Sequence, residues 1–297
     1  MSTMNHELAV NPDNLAVLLK HADPEDLGLL VDYITDKGAG RITLDSEVCR
    51  RLLACQAAGR YDAGDRAAIA HEIRRFGGNT FANFVRDARN ALGFGFLGNL
   101  LPDMASAVEY REIVHDVATH LKVAASRDDD VPAMESGIMR KMLAASYETM
   151  SMDEKKELLD ALNILDMGLL QPAALAAALV AGRLGGFATY RLAAIVANAV
   201  ARSLLGRGLP IAASAGLTRG LGVLIGPVGW VLTGIWTLAD MASPAYRVTM
   251  PCVVQLAYMR QKALYRAFTK ECGACGAVAL HDARFCADCG APLDKAV

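Results

Sequence analysis

From Met167 to Ala239 the chain carries no Asp, Glu or Lys. The side chains charged at neutral pH in that block are Arg183, Arg191, Arg202, Arg207 and Arg219. A stretch this poor in charge must lie against lipid or inside a large core, because exposed it would present an extended apolar surface to water. The arginines give the block +5, and with a net charge of −2 over 297 residues the remainder carries −7. Cations without acidic neighbours suit an anionic lipid surface better than they suit DNA, and the chain as a whole has no basic field for nucleic acid.

Within the block, Gly220 to Ala239 holds no charged side chain, and Arg219 and Asp240 bracket it. At ~1.5 Å per residue its helix would match the ~30 Å hydrocarbon core of a bilayer. Trp230 and Trp236 lie inside it, but so do Gly220, Gly222, Gly226, Gly229, Gly234 and Pro227, which weaken a lone span and favour close helix packing. The block therefore reads as a glycine-rich apolar helical hairpin, either membrane-embedded or buried. A mean hydropathy of +0.25 is high for a chain without lipid contact or an unusually large core.

The rest reads as helices. Aromatics are sparse at 6%, and the start signals are those of helices rather than strands. Asn11-Pro12 and Asp23-Pro24 each set an N-cap before apolar positions, and Thr43 opens a helix running toward Gly59. Residues 65–92 read as two helices broken at Gly77-Gly78, and Ser136–Met150 as another. Ser151 with Glu154 forms a capping box before Leu158, Leu159 and Leu162. In residues 190–205, Arg191, Asn198 and Arg202 fall on one polar stripe. Pro251 opens a final amphipathic helix, with Arg260, Lys262, Arg266 and Lys270 loading its C-terminal half. The expected organisation is an N-terminal helical domain over 1–60, a helical core over 61–166, the apolar block over 167–242, the basic helix over 243–270 and a small tail over 271–297.

That tail is the sharpest local signal. Cys272 and Cys275 form one C-x-x-C pair and Cys286 and Cys289 a second, and Gly276 and Gly290 follow the pairs. Zinc takes four soft ligands in a tetrahedron, and each short pair supplies two thiolates on a tight turn. The spacing predicts a zinc ribbon with all four positions filled by cysteine and none open for catalysis. Two disulfides would need an oxidising compartment, whereas the N-terminus shows no signal-peptide pattern and implies a cytoplasmic protein. A redox C-x-x-C would need one pair beside a βαβ unit. His281, between the pairs, reads as a turn residue, and Cys49, Cys55 and Cys252 as ordinary thiols.

Other motifs carry less. Gly93-Phe94-Gly95-Phe96-Leu97-Gly98 matches G-x-G-x-x-G, but no strand precedes it. Glu112-x-x-His115 lacks the second such pair that a di-iron site needs. No acid, base and nucleophile converge, so the expectation is a protein that is not an enzyme.

The stretches Phe76–Arg86 (FGGNTFANFVR) and Ser243–Arg260 (SPAYRVTMPCVVQLAYMR), with Tyr110–Val117 (YREIVHDV), resemble the YaaW family. This uncharacterised bacterial family is distantly grouped with ubiquinol–cytochrome c chaperones. The stretch from Leu15 through Asp32-Tyr33 to Arg41 resembles a small domain often fused at its N-terminus. The resemblance covers roughly residues 12–262. It implies an all-helical fold and an assembly or chaperone role, and it transfers no catalytic residue. The functional expectation is a non-enzymatic, membrane-associated interaction protein, cytoplasmic and at the inner membrane, with the ribbon as a docking or structural module. Its partner would be an anionic membrane surface or a membrane protein, and self-association is open. A conditional membrane-inserting effector and an assembly chaperone for a membrane complex are the alternatives.

Overall fold

The computed structural model describes residues 7, 11, 13–41, 44–91, 108–162, 164, 167–180, 186–209 and 245–293; for 79–91 and a few positions in 167–187 it describes the backbone alone. The described chain is helical apart from its tail. The helices are α1 Leu15–Lys20, α2 Pro24–Thr35, α3 Ser46–Ala58, α4 Ala63–Ala91, α5 Tyr110–His120, α6 Val131–Thr149, α7 Met152–Ala161, α8 Pro172–Val180, α9 Gly186–Leu205 and α10 Tyr246–Phe268. A 3-10 turn, Met167–Leu170, precedes α8, and strands β1 Thr269–Glu271 and β2 Val278–Leu280 follow α10.

Helix α10 is the axis of the molecule. Every residue from Val248 to Arg260 is buried. Nothing ionisable but Cys252 and Tyr258 interrupts that run before Arg260, so the helix has no charged face there and is enclosed all round. It packs against α1, α2, α4, α5, α6 and α9. Helix α9 is its closest partner and is itself enclosed from Leu192 to Ala201. Its alanines let the two backbones approach, as ridges of small side chains do. The amphipathic reading of α10 thus holds only for its last two turns.

The polar stripe expected on α9 resolves into separate roles. Asn198 is buried, and its side-chain oxygen accepts the Leu209 N–H at 3.0 Å, tying down the chain as it leaves the helix. Arg191 donates to the Ala161 carbonyl at 3.2 Å, and Arg207 pairs with Asp32 of α2. Arg202 is exposed. Two of the block's arginines therefore hold protein partners. Arg183, Arg219 and the whole Gly220–Ala239 stretch, with Trp230 and Trp236, lie outside the described residues, as does the Gly93–Gly98 motif. Among the described residues, no helix is long and apolar enough to cross a membrane.

Buried charge joins distant parts of the chain to α10. Glu135 of α6 accepts from Arg260 Nε at 2.7 Å and Nη2 at 3.2 Å, and from the Tyr110 hydroxyl of α5 at 2.7 Å. Arg260 and Glu135 are each about 2% exposed. Burial alone would lower the Arg260 pKa, but the carboxylate against it raises it. Burial first, and the Glu135 charge second, lift the Tyr110 hydroxyl well above its ordinary value, so it remains the donor.

A second network fastens α2. Asp23 stands at the N-cap position as the sequence predicts, yet its carboxylate makes no capping bond. It reaches Lys262 at 2.5 Å and Arg266 at 2.9 Å instead. Asp26 meets Lys262 at 2.7 Å and accepts from Gln255 at 3.3 Å. Two carboxylates thus overcome the desolvation of Lys262 and raise its pKa. Lys262 and Arg266 near the end of α10 are thus paired with carboxylates at the start of α2.

Asp23 also gives a pH test. Burial would raise its pKa, but the hydrogen bonds from Arg266 and Lys262 win and lower it. A carboxyl whose folded pKa is depressed adds stability above its ordinary value and loses it as pH falls through the folded value. Asp23 is partly exposed, so we expect Asp23→Asn to cost about 0.5–1 kcal/mol near neutrality and nothing in strong acid. Urea midpoints measured across that range should converge at the acid end.

Several start signals are met and some are displaced. Ser151 and Glu154 form the reciprocal capping box. Gly59, at φ 62°, closes α3. Asn14 rather than Asn11 caps α1, and Asp45 caps α3. Helix α6 begins at Val131, five residues before the expected start, because Asp130 caps it and Pro132 fits its first turn. Pro251 lies inside α10 rather than at its start.

The break expected at Gly77-Gly78 does not occur, and α4 continues through it. Gly77 is there for close approach: a Cβ would stand 2.6 Å from Ile113 Cδ1 and 3.0 Å from Val108 Cγ2. Alanine would gain ~1 kcal/mol of helix propensity. Overpacking costs ~1–3 kcal/mol and should outweigh it, so Gly77→Ala is expected to lower the urea midpoint.

Candidate metal centre

Helix α10 passes without a loop into β1, and β1 runs directly into Cys272. Thr269 Oγ1 donates to the Tyr265 carbonyl at 2.7 Å, so the last turn of the helix is bonded to the first residue of the strand. Strand β1 pairs antiparallel with β2 in the register Thr269↔Leu280, Lys270↔Ala279 and Glu271↔Val278. The first cysteine pair sits in the turn between them. A second hairpin follows, with Phe285 bridged to Pro292 and Leu293 N–H bonded to the Arg284 carbonyl at 2.9 Å.

The two cysteine turns have the same bonding. Gly276 N–H donates to Cys272 O at 2.8 Å, and Gly290 N–H to Cys286 O at 2.9 Å. Cys272 N–H donates to Ala277 O at 2.8 Å, and Cys286 N–H to Ala291 O at 2.9 Å. Gly276 and Gly290 both have φ 72°, a left-handed conformation that a Cβ disfavours. The glycine after each pair is therefore a geometric requirement of the turn.

All four sulfurs lie within 4.8 Å of one another. Cys272 Sγ is 3.7 Å from Cys289 Sγ, and Cys275 Sγ is 3.6 Å from Cys286 Sγ. A tetrahedral metal with ~2.3 Å bonds to sulfur sets its ligands ~3.8 Å apart. The cluster is the right size to hold a metal ion. Cys272 and Cys286 are buried, while Cys275 and Cys289 are exposed. The amides of Ala274 and Cys275 draw the Cys272 thiol down to about 7. The Ala277 amide pulls Cys275 the same way, but hydrogen bonding with the Cys289 and Cys286 sulfurs prevails and pushes it up to about 12. Four sulfurs this close resist ionising together, and a divalent cation removes that resistance.

Little else stabilises the tail. Its apolar core is Leu293 with Ala277, Ala279, Ala283 and Ala291 packed around the buried sulfurs. The tail also leaves large apolar side chains in water: Leu280 is 51% exposed, Phe285 65%, and Phe268 at the end of α10 55%. Sequence spacing locates the four cysteines. It does not reveal these exposed residues, nor the Tyr110–Glu135–Arg260 and Asp23–Asp26–Lys262 networks, whose partners are far apart in the chain. One signal for the first network was present: the nearly charge-free run Val248–Met259 implies a helix with no polar face.

A family model described as "Ubiquinol-cytochrome C chaperone" matches residues 62–254. The chain belongs to this family. It is similar to a UPF0174 protein of Helicobacter pylori (strain J99 / ATCC 700824), 42% identical over 195 residues, or 65% of this chain and 70% of that protein. It is also similar to the UPF0174 protein YaaW of Escherichia coli (strain K12), 29% identical over 247 residues, or 82% of this chain and 92% of that one. No solved structure matches. The YaaW-type resemblance read from the sequence is thereby borne out. The region matched by the family model runs from α4 into α10 and stops before the ribbon, so the cysteine cluster lies beyond it, and α1–α3 precede it.

Proposed function

We propose that this chain is a non-enzymatic, chaperone-like protein that holds a subunit of a membrane protein complex, with zinc in the ribbon making a docking module. The family match over residues 62–254 carries this reading. The architecture supports it: the family's helical body is built round α10, and the same helix delivers the ribbon to its end. The paired buried charges of Glu135, Arg260, Asp26 and Lys262 suit helix fastening rather than chemistry. Cys272, Cys275, Cys286 and Cys289 would be the zinc ligands, a closed set that gives structure and leaves no position for substrate. The uncharged Gly220–Ala239 stretch supports action at the cytoplasmic face of the inner membrane.

Cell fractionation with and without alkaline carbonate, followed by affinity isolation of the tagged chain, tests this. The expected result is a membrane-fraction protein that co-purifies stoichiometrically with one membrane subunit. Recovery in the soluble fraction with no partner would overturn it. A membrane-inserting effector is a second reading, favoured by the same uncharged stretch, and it predicts dye release from anionic liposomes.

A further inference from the structure

The exposed and buried sulfurs of the cluster alternate between the two knuckles. Exposed Cys275 faces buried Cys286 at 3.6 Å, and exposed Cys289 faces buried Cys272 at 3.7 Å. Each exposed cysteine therefore has a sulfur partner across the centre, in a cluster whose four sulfurs lie within 4.8 Å of one another. Metal-bound thiolates that reach solvent beside a second thiolate have the two features of a peroxide-sensitive centre, an accessible nucleophile and a resolving partner. Among the described residues the tail has no apolar core able to keep its shape without the metal, since Leu293 and four alanines are what pack around the buried cysteines. Strand β1 packs on α10, from which it extends. Loss of the metal would unfold the ribbon and leave the helical body standing.

We propose that the ribbon is a hydroperoxide-sensitive docking module that releases its metal by forming the cross-knuckle disulfides Cys275–Cys286 and Cys272–Cys289. This rests on the zinc reading above. The Cys275 thiolate attacks one peroxide oxygen, the O–O bond breaks, and the hydroxide released is protonated by solvent to water. The product is a sulfenic acid on Cys275. The Cys286 thiolate then attacks that sulfur, the S–S bond forms, the S–O bond breaks, and a second hydroxide leaves as water. Two thiolates lose two electrons to one peroxide and two protons come from solvent. The metal loses two ligands with each disulfide and departs. A dithiol reductant reverses the step and permits reloading.

The test uses the full chain, with its zinc content first measured by elemental analysis. Hydrogen peroxide is added with a zinc-chelating dye, and the sulfurs are mapped by differential alkylation and mass spectrometry while helical circular dichroism is followed. The proposal expects one zinc released per chain, the two cross-knuckle disulfides, unchanged helical signal, and recovery with dithiothreitol and zinc. Retention of zinc while Cys49 and Cys55 oxidise would overturn it, as would disulfides confined within the C-x-x-C pairs. Cys275→His with Cys289→His keeps a four-ligand set without exposed thiols and should release zinc about tenfold more slowly. If that variant does not load, the disulfide map of the unsubstituted protein decides. A chain that takes up no zinc before any peroxide is added refutes the zinc reading itself, a result distinct from zinc that is bound and not released.

Discussion

Arg260→Leu is expected to destabilise the helical body by about 3–5 kcal/mol, the cost of leaving one member of a buried ion pair behind. Glu135 would keep the Tyr110 hydrogen bond at 2.7 Å but lose both bonds to the guanidinium. Its side chain is 2% exposed, so bulk solvent does not replace those bonds. The three residues come from α5, α6 and α10, so the loss is felt where three helices meet. The pair is nevertheless a poor source of net stability, because both charges were desolvated to make it. Removing all its polarity together, with Glu135→Leu, Arg260→Leu and Tyr110→Phe, should therefore recover most of the loss. Urea unfolding of the single and triple variants checks this. A triple variant as unstable as Arg260→Leu alone would show that cavity and packing effects, not the stranded carboxylate, set the cost.

The second large effect lies in the tail. Cys272→Ser, or a strong zinc chelator, should abolish the ribbon's structure outright. Structural zinc sites of this kind supply about 10–16 kcal/mol of apparent binding free energy near pH 7, and that binding is the folding free energy of the module. Nothing among Leu293 and the surrounding alanines replaces it. The helical circular dichroism should fall by no more than the fraying of the last turns of α10, whose burial ends at Arg260. Limited proteolysis should cut the variant after residues in 271–293 and spare the body. Loss of helical signal across the protein would show that the ribbon is a structural part of the body rather than a module on its end.

The sequence made some of this legible because the deciding interactions are local. The cysteine turns depend on residues within a few positions, including the glycines at φ 72°, and the spacing of the two pairs already places the four sulfurs together. The same is true of the capping box at Ser151 and Glu154. What escaped was decided at long range. Gly77 looks like a helix breaker until Ile113 is seen packed against it. Asp23 looks like a cap, and occupies the cap position, but its carboxylate answers to Lys262 and Arg266. Arg260, Lys262 and Arg266 look like a basic surface because their acidic partners lie more than a hundred residues earlier. That reassignment matters for function. It withdraws Arg260 and Lys262 from the surface available to anionic lipid, while Arg266, half exposed, is paired with Asp23. The exposed Phe268, Leu280 and Phe285 then become the described apolar side chains best placed to meet a partner.

The central claim is that a zinc-held ribbon at the end of α10 meets a protein partner. A photo-crosslinking amino acid placed at Phe285 in living cells tests it most directly, with Met152, exposed on the helical body, as the comparison site. The account predicts one dominant crosslinked membrane subunit from position 285, none of it from position 152, and loss of the product when Cys272→Ser is added. The same product from both sites, or a product from position 285 that persists in the Cys272→Ser background, would contradict it.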